Sequence, residues 1–313
     1  MAGETAFVEA LRGLASSPAA RGLTDDAAVL EIGGASLVLT HDMLVEGVHF
    51  LPTDPPGDVA WKLVAVNLSD LAAKGARPLG ALLGYTLTGD EAWDAAFLEG
   101  LATALRAFDL ALLGGDTVSS SGPRTLGLTA IGEATGPVPS RSGARPGDHL
   151  WVSGSIGDAG AGLAIARGEA DGQEALLERY RLPRPRLEAG QALAPFVNAM
   201  MDVSDGLLID ASRMAQASDA SLQLELDAIP LSAPLLVLRG DGRSARLAAA
   251  TAGDDYELLF AARPDRSAEI LNLSDTLGLP LSRIGAFGPG SGVTLTDRGA
   301  PVPLPERLGY LHG

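Results

Sequence analysis

AVNLSDLAAKGARPLG, residues 65–80, decides how this chain is read, because one aspartate, Asp70, stands inside a segment that is otherwise apolar and helix-forming. Asp58 ahead of it suits an N-cap and Gly75 a C-terminal stop, so the pattern predicts a helix over 59–74 with its apolar face on a core. Asn67, Asp70 and Lys74 recur three and four residues apart and therefore share one side of that helix. Two readings are open. Asp70 and Lys74 are a solvated i,i+4 pair worth a few tenths of a kcal/mol, or Asp70 is a functional acid. The other aspartates favour the second, because most of the conspicuous ones end apolar runs or adjoin glycine.

Upstream, residues 5–15 have helical periodicity, and GLTDDAAVLEIGG (22–34) sets Asp25 and Asp26 just before a short apolar strand. SLVLTHDMLVEGVHF (36–50) reads as a strand ending at Thr40, His41 and Asp42, then a loop carrying His49. Downstream, 79–86 reads as a strand and 91–108 as a helix. LALLGGD (110–116) reads as a strand breaking into Gly114, Gly115 and Asp116, and 124–133 as another strand. Gly136, Pro137 and Pro139 mark a boundary, so we expect an N-terminal domain over 1–136 and a C-terminal one over 137–313. In the second, DHLWVSGSIGDAGAGLAIARG (148–168) is strand, glycine-rich turn and helix. Its glycines either cradle a phosphate at a helix N-terminus or let helix and strand pack closely. They do not spell GxGxxG, and no GxxxxGK[ST] occurs, which disfavours a dinucleotide fold and a Walker-type site. MMDVSDGLLIDASRMA (200–215) places Asp202, Ser204 and Asp205 at a strand-to-helix turn, where one of them could simply be a cap. AGDDYELLFAA (252–262) puts Asp254 and Asp255 ahead of a strand.

Composition narrows the class. The chain has 313 residues, enough for two domains, with 46% hydrophobic and 20% charged residues and no apolar run of membrane-spanning length. The first residues lack a basic segment followed by a continuous apolar one, so the cytoplasm is the expected location, with no membrane partner. The absence of cysteine excludes disulfides, thiolate zinc sites and a cysteine nucleophile. A formal charge of −16 argues against nucleic acid as a partner. It is compatible with a phosphorylated small molecule held through divalent ions, because carboxylates bind Mg²⁺ and Mg²⁺ binds phosphate oxygens. Asp26, Asp42, Asp70, Asp116 and Asp202, if brought together, would raise one another's pKa values unless cations neutralised them. Oxygen ligands favour Mg²⁺, Mn²⁺ or Ca²⁺ over zinc, four scattered histidines give no HExxH spacing, and the DxDxDG spacing of a Ca²⁺ loop is absent. Mg²⁺ on clustered aspartates suggests phosphoryl transfer from a nucleotide. No general base stands out, which fits an acceptor that is itself a phosphate, largely dianionic at neutral pH with a second pKa of about 6.

GLTDDAAVL, THDMLVEGVHF, NLSDLAAKGARP, LLGGDT, SRSGARPGDHLWVSG, DVSDGL and GDDYELLF occur here in the order found in thiamine-monophosphate kinases, and the resemblance spans nearly the whole chain. The short acidic motifs recur across the wider superfamily of aminoimidazole ribonucleotide synthetase. Their combination with LVEGVHF and the terminal GY is more selective for the kinases. The resemblance implies transfer of the ATP γ-phosphate to thiamine monophosphate, and an α/β (α+β) two-domain fold whose N-terminal sheet pairs in a homodimer. It implies a site for several Mg²⁺ ions on Asp26, Thr40, His41, Asp42, Asp70, Asp116, Asp202 and Asp205, and admits a monovalent cation. Of these, Asp42, Asp70, Asp116 and Asp202 would be central to catalysis. It places ATP on Gly115, Asp116, Arg141 and Ser204, and thiamine monophosphate on His49, Asp254 and Tyr310. Tyr310 would face the cationic thiazolium.

Three positions depart from the family pattern. Thr24 stands where glycine is usual, Asp254 where some relatives have the longer glutamate, and His41 where threonine is common. His41 is harmless if that position binds metal by its carbonyl, and a poorer ligand if it binds by its side chain. The alternatives are an ATP-dependent synthetase of the same superfamily, or a catalytically silent nucleotide- or metal-binding regulator.

Overall fold

The computed structural model describes residues 4–311. The first half contains α1 (Glu4–Arg12), β1 (Ala28–Ile32), β2 (Ala35–Val45), α2 (Pro56–Ala73), β3 (Arg77–Leu87), α3 (Glu91–Ala107), β4 (Ala111–Ser119) and β5 (Thr125–Ala134). Its strands form one sheet in the order β1-β2-β5-β3-β4, antiparallel except for the parallel β3–β4 pair. β2 shows why the sheet has two different faces. Val38, Thr40 and Leu44 point inward and are buried, whereas His41 and Met43 point outward and are exposed, following the period-2 alternation of a strand. The inward face packs on α2 and α3 through Leu63, Val64, Leu68, Leu71 and Phe97, with Leu126 and Leu128 of β5 beneath them.

The second half contains β6 (His149–Ser153), α4 (Asp158–Ala166), α5 (Glu174–Arg181), α6 (Leu187–Leu193), β7 (Ala199–Asp202), α7 (Leu207–Ala217) and β8 (Ser221–Glu225). It continues with α8 (Ala233–Arg239), α9 (Arg243–Ala250), β9 (Leu258–Ala262), α10 (Ser267–Leu277), β10 (Leu281–Gly288), β11 (Gly292–Asp297) and β12 (Ala300–Val302). Its mixed sheet runs β12-β11-β8-β10-β6-β9-β7. Both faces are covered, one around Leu207, Leu208 and Met214 of α7, the other around Leu193 of α6 and Ile270 of α10. Hence every residue of β9 is buried, and it reads as an unbroken apolar run.

α2 joins the two halves. Its middle turns lie on the five-stranded sheet, while Ala72 and Ala73 at its end pack with Trp151, Leu193 and Phe260 of the second half. The helix is therefore buried on all sides, polar residues included, and is not the one-sided amphipathic helix its spacing suggests. It starts at Pro56, with no side-chain cap, so Asp58 is inside its first turn and is not the N-cap. β2 and β4 run on past Asp42 and Asp116, which lie inside the strands and do not end them. The glycine-rich turn serves packing. A Cβ on Gly157, Gly160 or Gly162 would come within 2.6 Å of Ala249, Ala252 or Leu176, and the Gly157 N–H is already given to Asp255. No helix of the described residues is long and apolar enough to cross a membrane.

Candidate active site

α2 gathers acids from three separate segments. Asn67 accepts the Asp42 N–H at 2.9 Å and donates to its own helix at Leu63, which fixes Asp42 of β2. Thr40, one residue earlier in the inward row of β2, donates its hydroxyl to Asp70 Oδ2. Ser69 donates to Asp202 Oδ2 at 2.6 Å, tying down the end of β7. Lys74 donates to Asp25 Oδ1 at 2.5 Å and to Asp26 Oδ2 at 2.7 Å, just ahead of β1. The result is a convergence of Asp26, Asp70 and Asp202, each offering an oxygen within 4.8 Å of the others.

The three carboxylates are electrostatically unequal. Burial and the neighbouring Asp42, Asp202 and Asp26 push Asp70 well above the usual carboxylate range. Burial, with Asp26 next, pushes Asp202 the same way. Burial would also raise Asp26, but Lys74 and Arg141 outweigh it and hold its carboxyl below the ordinary value. Hard oxygen donors at this spacing, two of them with no cationic partner among the described residues, fit a divalent ion of the Mg²⁺ type.

Beside the cluster, the β7–α7 turn has its backbone donors gathered onto one carboxylate. Asp210 Oδ2 accepts the N–H groups of Ser204, Asp205 and Gly206 at 3.1, 3.1 and 3.2 Å. The cap of this turn is thus Asp210, leaving Asp202, Ser204 and Asp205 for the cleft. Arg213 bridges Asp205 at 2.5 Å and Asp210 at 2.8 Å. Burial raises Asp210 to about 6 in spite of Arg213. Arg141 holds Asp26 with Nη2, while its buried Nε has no hydrogen-bond partner among the described residues.

A second group lies further along. Lys62, buried in α2, donates to Asp254 Oδ2 at 2.7 Å and to the His49 carbonyl at 3.1 Å, and its ammonium lies 4.4 Å from the Tyr180 ring centroid. Tyr256 donates to Asp254 Oδ1 at 3.1 Å. Asp254 and Tyr256 have φ values of +69° and +50°, a conformation L-residues seldom adopt, so this turn is held by its surroundings. His49 Nδ1 accepts the Val45 N–H at 3.0 Å, which leaves the proton on Nε2. Tyr310 is half exposed and is anchored by its own N–H to the Asp205 carbonyl at 2.9 Å. Asp26, Asp42, His49, Asp70, Arg141, Asp202, Ser204, Asp205, Asp254 and Tyr310 all line one cleft of about 1200 Å³ between the two sheets.

Three expected residues are not brought there. His41 is on the outward face of β2, bonded to Thr129 at 2.9 Å, so its imidazole is outside the cleft. Asp116 is aligned across the sheet with Gly84, Gly127 and Met43, also on the outward face. β4 is three strand spacings from β2, about 14 Å, so within one chain Asp116 and its neighbour Gly115 cannot join Asp42. Conversely, Asp25, Lys62, Lys74, Asp210, Arg213 and Tyr256 take part without having been singled out for it. Of these, Asp25 was visible as half of an acidic pair and Lys74 as a neighbour of Asp70 on its helix, and neither spacing told what it would bind.

Comparison with known proteins agrees with this architecture. Residues 24–134 match the model of the AIR synthase related protein N-terminal domain, and residues 145–298 that of its C-terminal domain. A thiamine-monophosphate kinase of Caulobacter vibrioides is 43% identical over 304 residues, covering 95% of this chain and 86% of its own. The Escherichia coli K12 enzyme of that name is 39% identical over 300 residues, covering 93% and 91%. The solved structure of AaThiL complexed with AMPPCP and TMP superposes with a TM-score of 0.87 at 31% identity, covering 99% of this chain and 97% of that one. With relatives this similar over nearly the whole length and the two acid-bearing halves in place, the chain belongs to the thiamine-monophosphate kinase family of AIR synthase related proteins.

Proposed function

We propose that this chain transfers the γ-phosphoryl group of ATP to thiamine monophosphate, giving thiamine diphosphate and ADP, with Mg²⁺ held in the cleft. The observation that carries the reading is the convergence of Asp26, Asp70 and Asp202 in a cleft that is also lined by Arg141, Ser204 and Asp205. Asp42, Asp70 and Asp202 would hold Mg²⁺, with Thr40 and Asp26 supporting and Asp205 beside a further ion. Bound Mg²⁺ supplies neutralisation of phosphate oxygens and alignment for in-line transfer. The chain's own work is positioning. Arg141 offers a planar donor fork to a phosphate, with Ser204 next to it. Asp210 keeps the Ser204 turn rigid through its three accepted N–H bonds. His49, Asp254 and Tyr310 would hold thiamine monophosphate, with Lys62 fixing the Asp254 carboxylate so that the shorter side chain is still aimed. The acceptor phosphate is largely dianionic at neutral pH, its second pKa being about 6, so no residue is needed to deprotonate it.

The proposal includes a homodimer. The outward sheet face carries the exposed Met43, Leu82 and Val118, and all nine residues of the edge strand β4 are exposed, a surface isolated proteins avoid. Gly115 and Asp116 lie on this strand, so any metal or ATP contact they make is to a neighbouring copy's cleft. The reading also sets the domain division at 136/137, between the last strand of one sheet and the first of the other, and a cytoplasmic location. The test is product formation from ATP and thiamine monophosphate, with thiamine as control acceptor and chelator as control for metal. Equimolar ADP and thiamine diphosphate, dependent on Mg²⁺ and absent with thiamine, is expected. ATP binding without thiamine diphosphate would favour the synthetase or silent-regulator readings.

A further inference from the structure

Lys74 is wholly buried, yet it is charged and sits directly behind the acid cluster. Its ammonium contacts Asp25 Oδ1 at 2.5 Å, Asp26 Oδ2 at 2.7 Å and the Met200 carbonyl at 3.2 Å. The other oxygen of Asp26, Oδ1, takes the Arg141 guanidinium. Both oxygens of Asp26 are therefore met by cations belonging to the chain. Among the described residues, Asp70 and Asp202 receive only the neutral hydroxyls of Thr40 and Ser69. One acid of the trio is charge-balanced from within the protein, and two are left to be balanced from the cleft. An ammonium so deeply buried keeps its charge only through such pairing, and the same pairing occupies ligand positions a metal ion could otherwise use.

We infer that Lys74 is a tethered cation of the metal site. It takes up the charge of Asp26 that a further divalent ion would otherwise take, and so limits how many ions the cleft holds. It acts through Asp26 and Asp25, as a positioning residue, and the inference rests on the metal-dependent reading of the cleft given above.

The experiment counts ions directly. Mn²⁺ is titrated into the full-length protein in the presence of AMPPCP, and bound Mn²⁺ per chain is read by electron paramagnetic resonance. Lys74→Met, unbranched and close in length, removes the charge while filling much of the space, and Lys74→Arg keeps the charge. Lys74→Met is expected to bind one more Mn²⁺ per chain than wild type and to show a steeper dependence of rate on Mg²⁺. Lys74→Arg should bind the wild-type number. Should Lys74→Met not fold, Lys74→Met/Asp25→Asn removes one charge of each sign and carries the same expectation. An equal count in wild type and the Lys74→Met proteins overturns the inference. A wild-type protein that binds no Mn²⁺ overturns the underlying metal reading, and that result is read without any variant.

Discussion

Asp70 Oδ2 accepts the Thr40 hydroxyl while Asp42, Asp202 and Asp26 crowd the same space, so burial and like charge raise its pKa. Asp202 is raised for the same reasons. A carboxyl whose folded value is raised binds more protons folded than unfolded. Its contribution to stability is complete below the unfolded value and is lost as pH rises through the folded one. The metal-free protein should therefore lose stability from these two groups as pH rises through their folded values, and Mg²⁺ should restore more stability at higher pH. Melting curves in chelator and in Mg²⁺ across pH check this; a Mg²⁺ effect that shrinks with rising pH would contradict it. Asp210, raised from 3.8 to about 6, adds a loss of the same sign across that window. Asp25 and Asp26 have the opposite sign: their lowered values give stability present above the unfolded carboxylate pKa and lost as pH falls through the folded one. Asp210→Ala strips three backbone N–H groups of their acceptor and should cost about 1–2 kcal/mol, with KM for ATP rising more than kcat falls, as chemical denaturation and initial rates would show. At this scale much was legible. Asp26, Asp42, Asp70 and Asp202 were conspicuous because each interrupts or ends an apolar run. Lys74 was visible beside Asp70, but its role was not, because an i,i+4 Asp–Lys spacing is the same on a surface and in a core, and its partners are 49 and 48 residues away.

Among the elements, α2 is the one whose surroundings the pattern could not give. Its apolar periodicity is diluted by Lys62, Asn67, Ser69 and Asp70, all buried, because the second half of the chain covers what would have been its solvent side. That covering depends on small residues. A Cβ on Gly190 of α6 would lie 1.9 Å from the Ala72 carbonyl oxygen at the end of α2. Gly190→Ala is thus expected to destabilise by about 1–3 kcal/mol, the usual cost of overpacking, and to weaken Mg²⁺ binding with it, because Lys74 and Asp70 sit on the displaced turn. Unchanged denaturation would show that the contact is slack. The strands that read as ending at Thr40–Asp42 and at Gly114–Asp116 run on because their pairing continues past those residues, β2 with β5 to Val45 and β4 with β3 to Ser119. Glycine and acid are local breakers, and long-range pairing overrode them.

Across the whole molecule, the sequence pattern and the family resemblance gave two α/β halves, and the folded chain has two sheets with the cleft between them. What one chain does not contain is a place for Asp116 near Asp42. The outward sheet face supplies an explanation that can be tested. Leu82→Asp, on that face and away from the cleft, should convert the proposed dimer into a folded monomer by light scattering and lower turnover. Mixed dimers of Asp116→Asn and Asp42→Asn chains should recover part of the activity that each variant lacks alone, if Asp116 serves the partner's cleft. No recovery would confine Asp116 to a structural role.

The measurement that bears most directly on the central claim is turnover of Asp70→Asn, with ADP and thiamine diphosphate both quantified at saturating Mg²⁺, ATP and thiamine monophosphate. Removing one of the carboxylates proposed to hold Mg²⁺ should weaken the electrostatic stabilisation the ion supplies and lower kcat by on the order of 10²-fold or more, while the metal-free fold becomes more stable than wild type. A well-folded Asp70→Asn protein that kept full turnover would contradict the claim that phosphoryl transfer is built on the Asp26, Asp70 and Asp202 cluster.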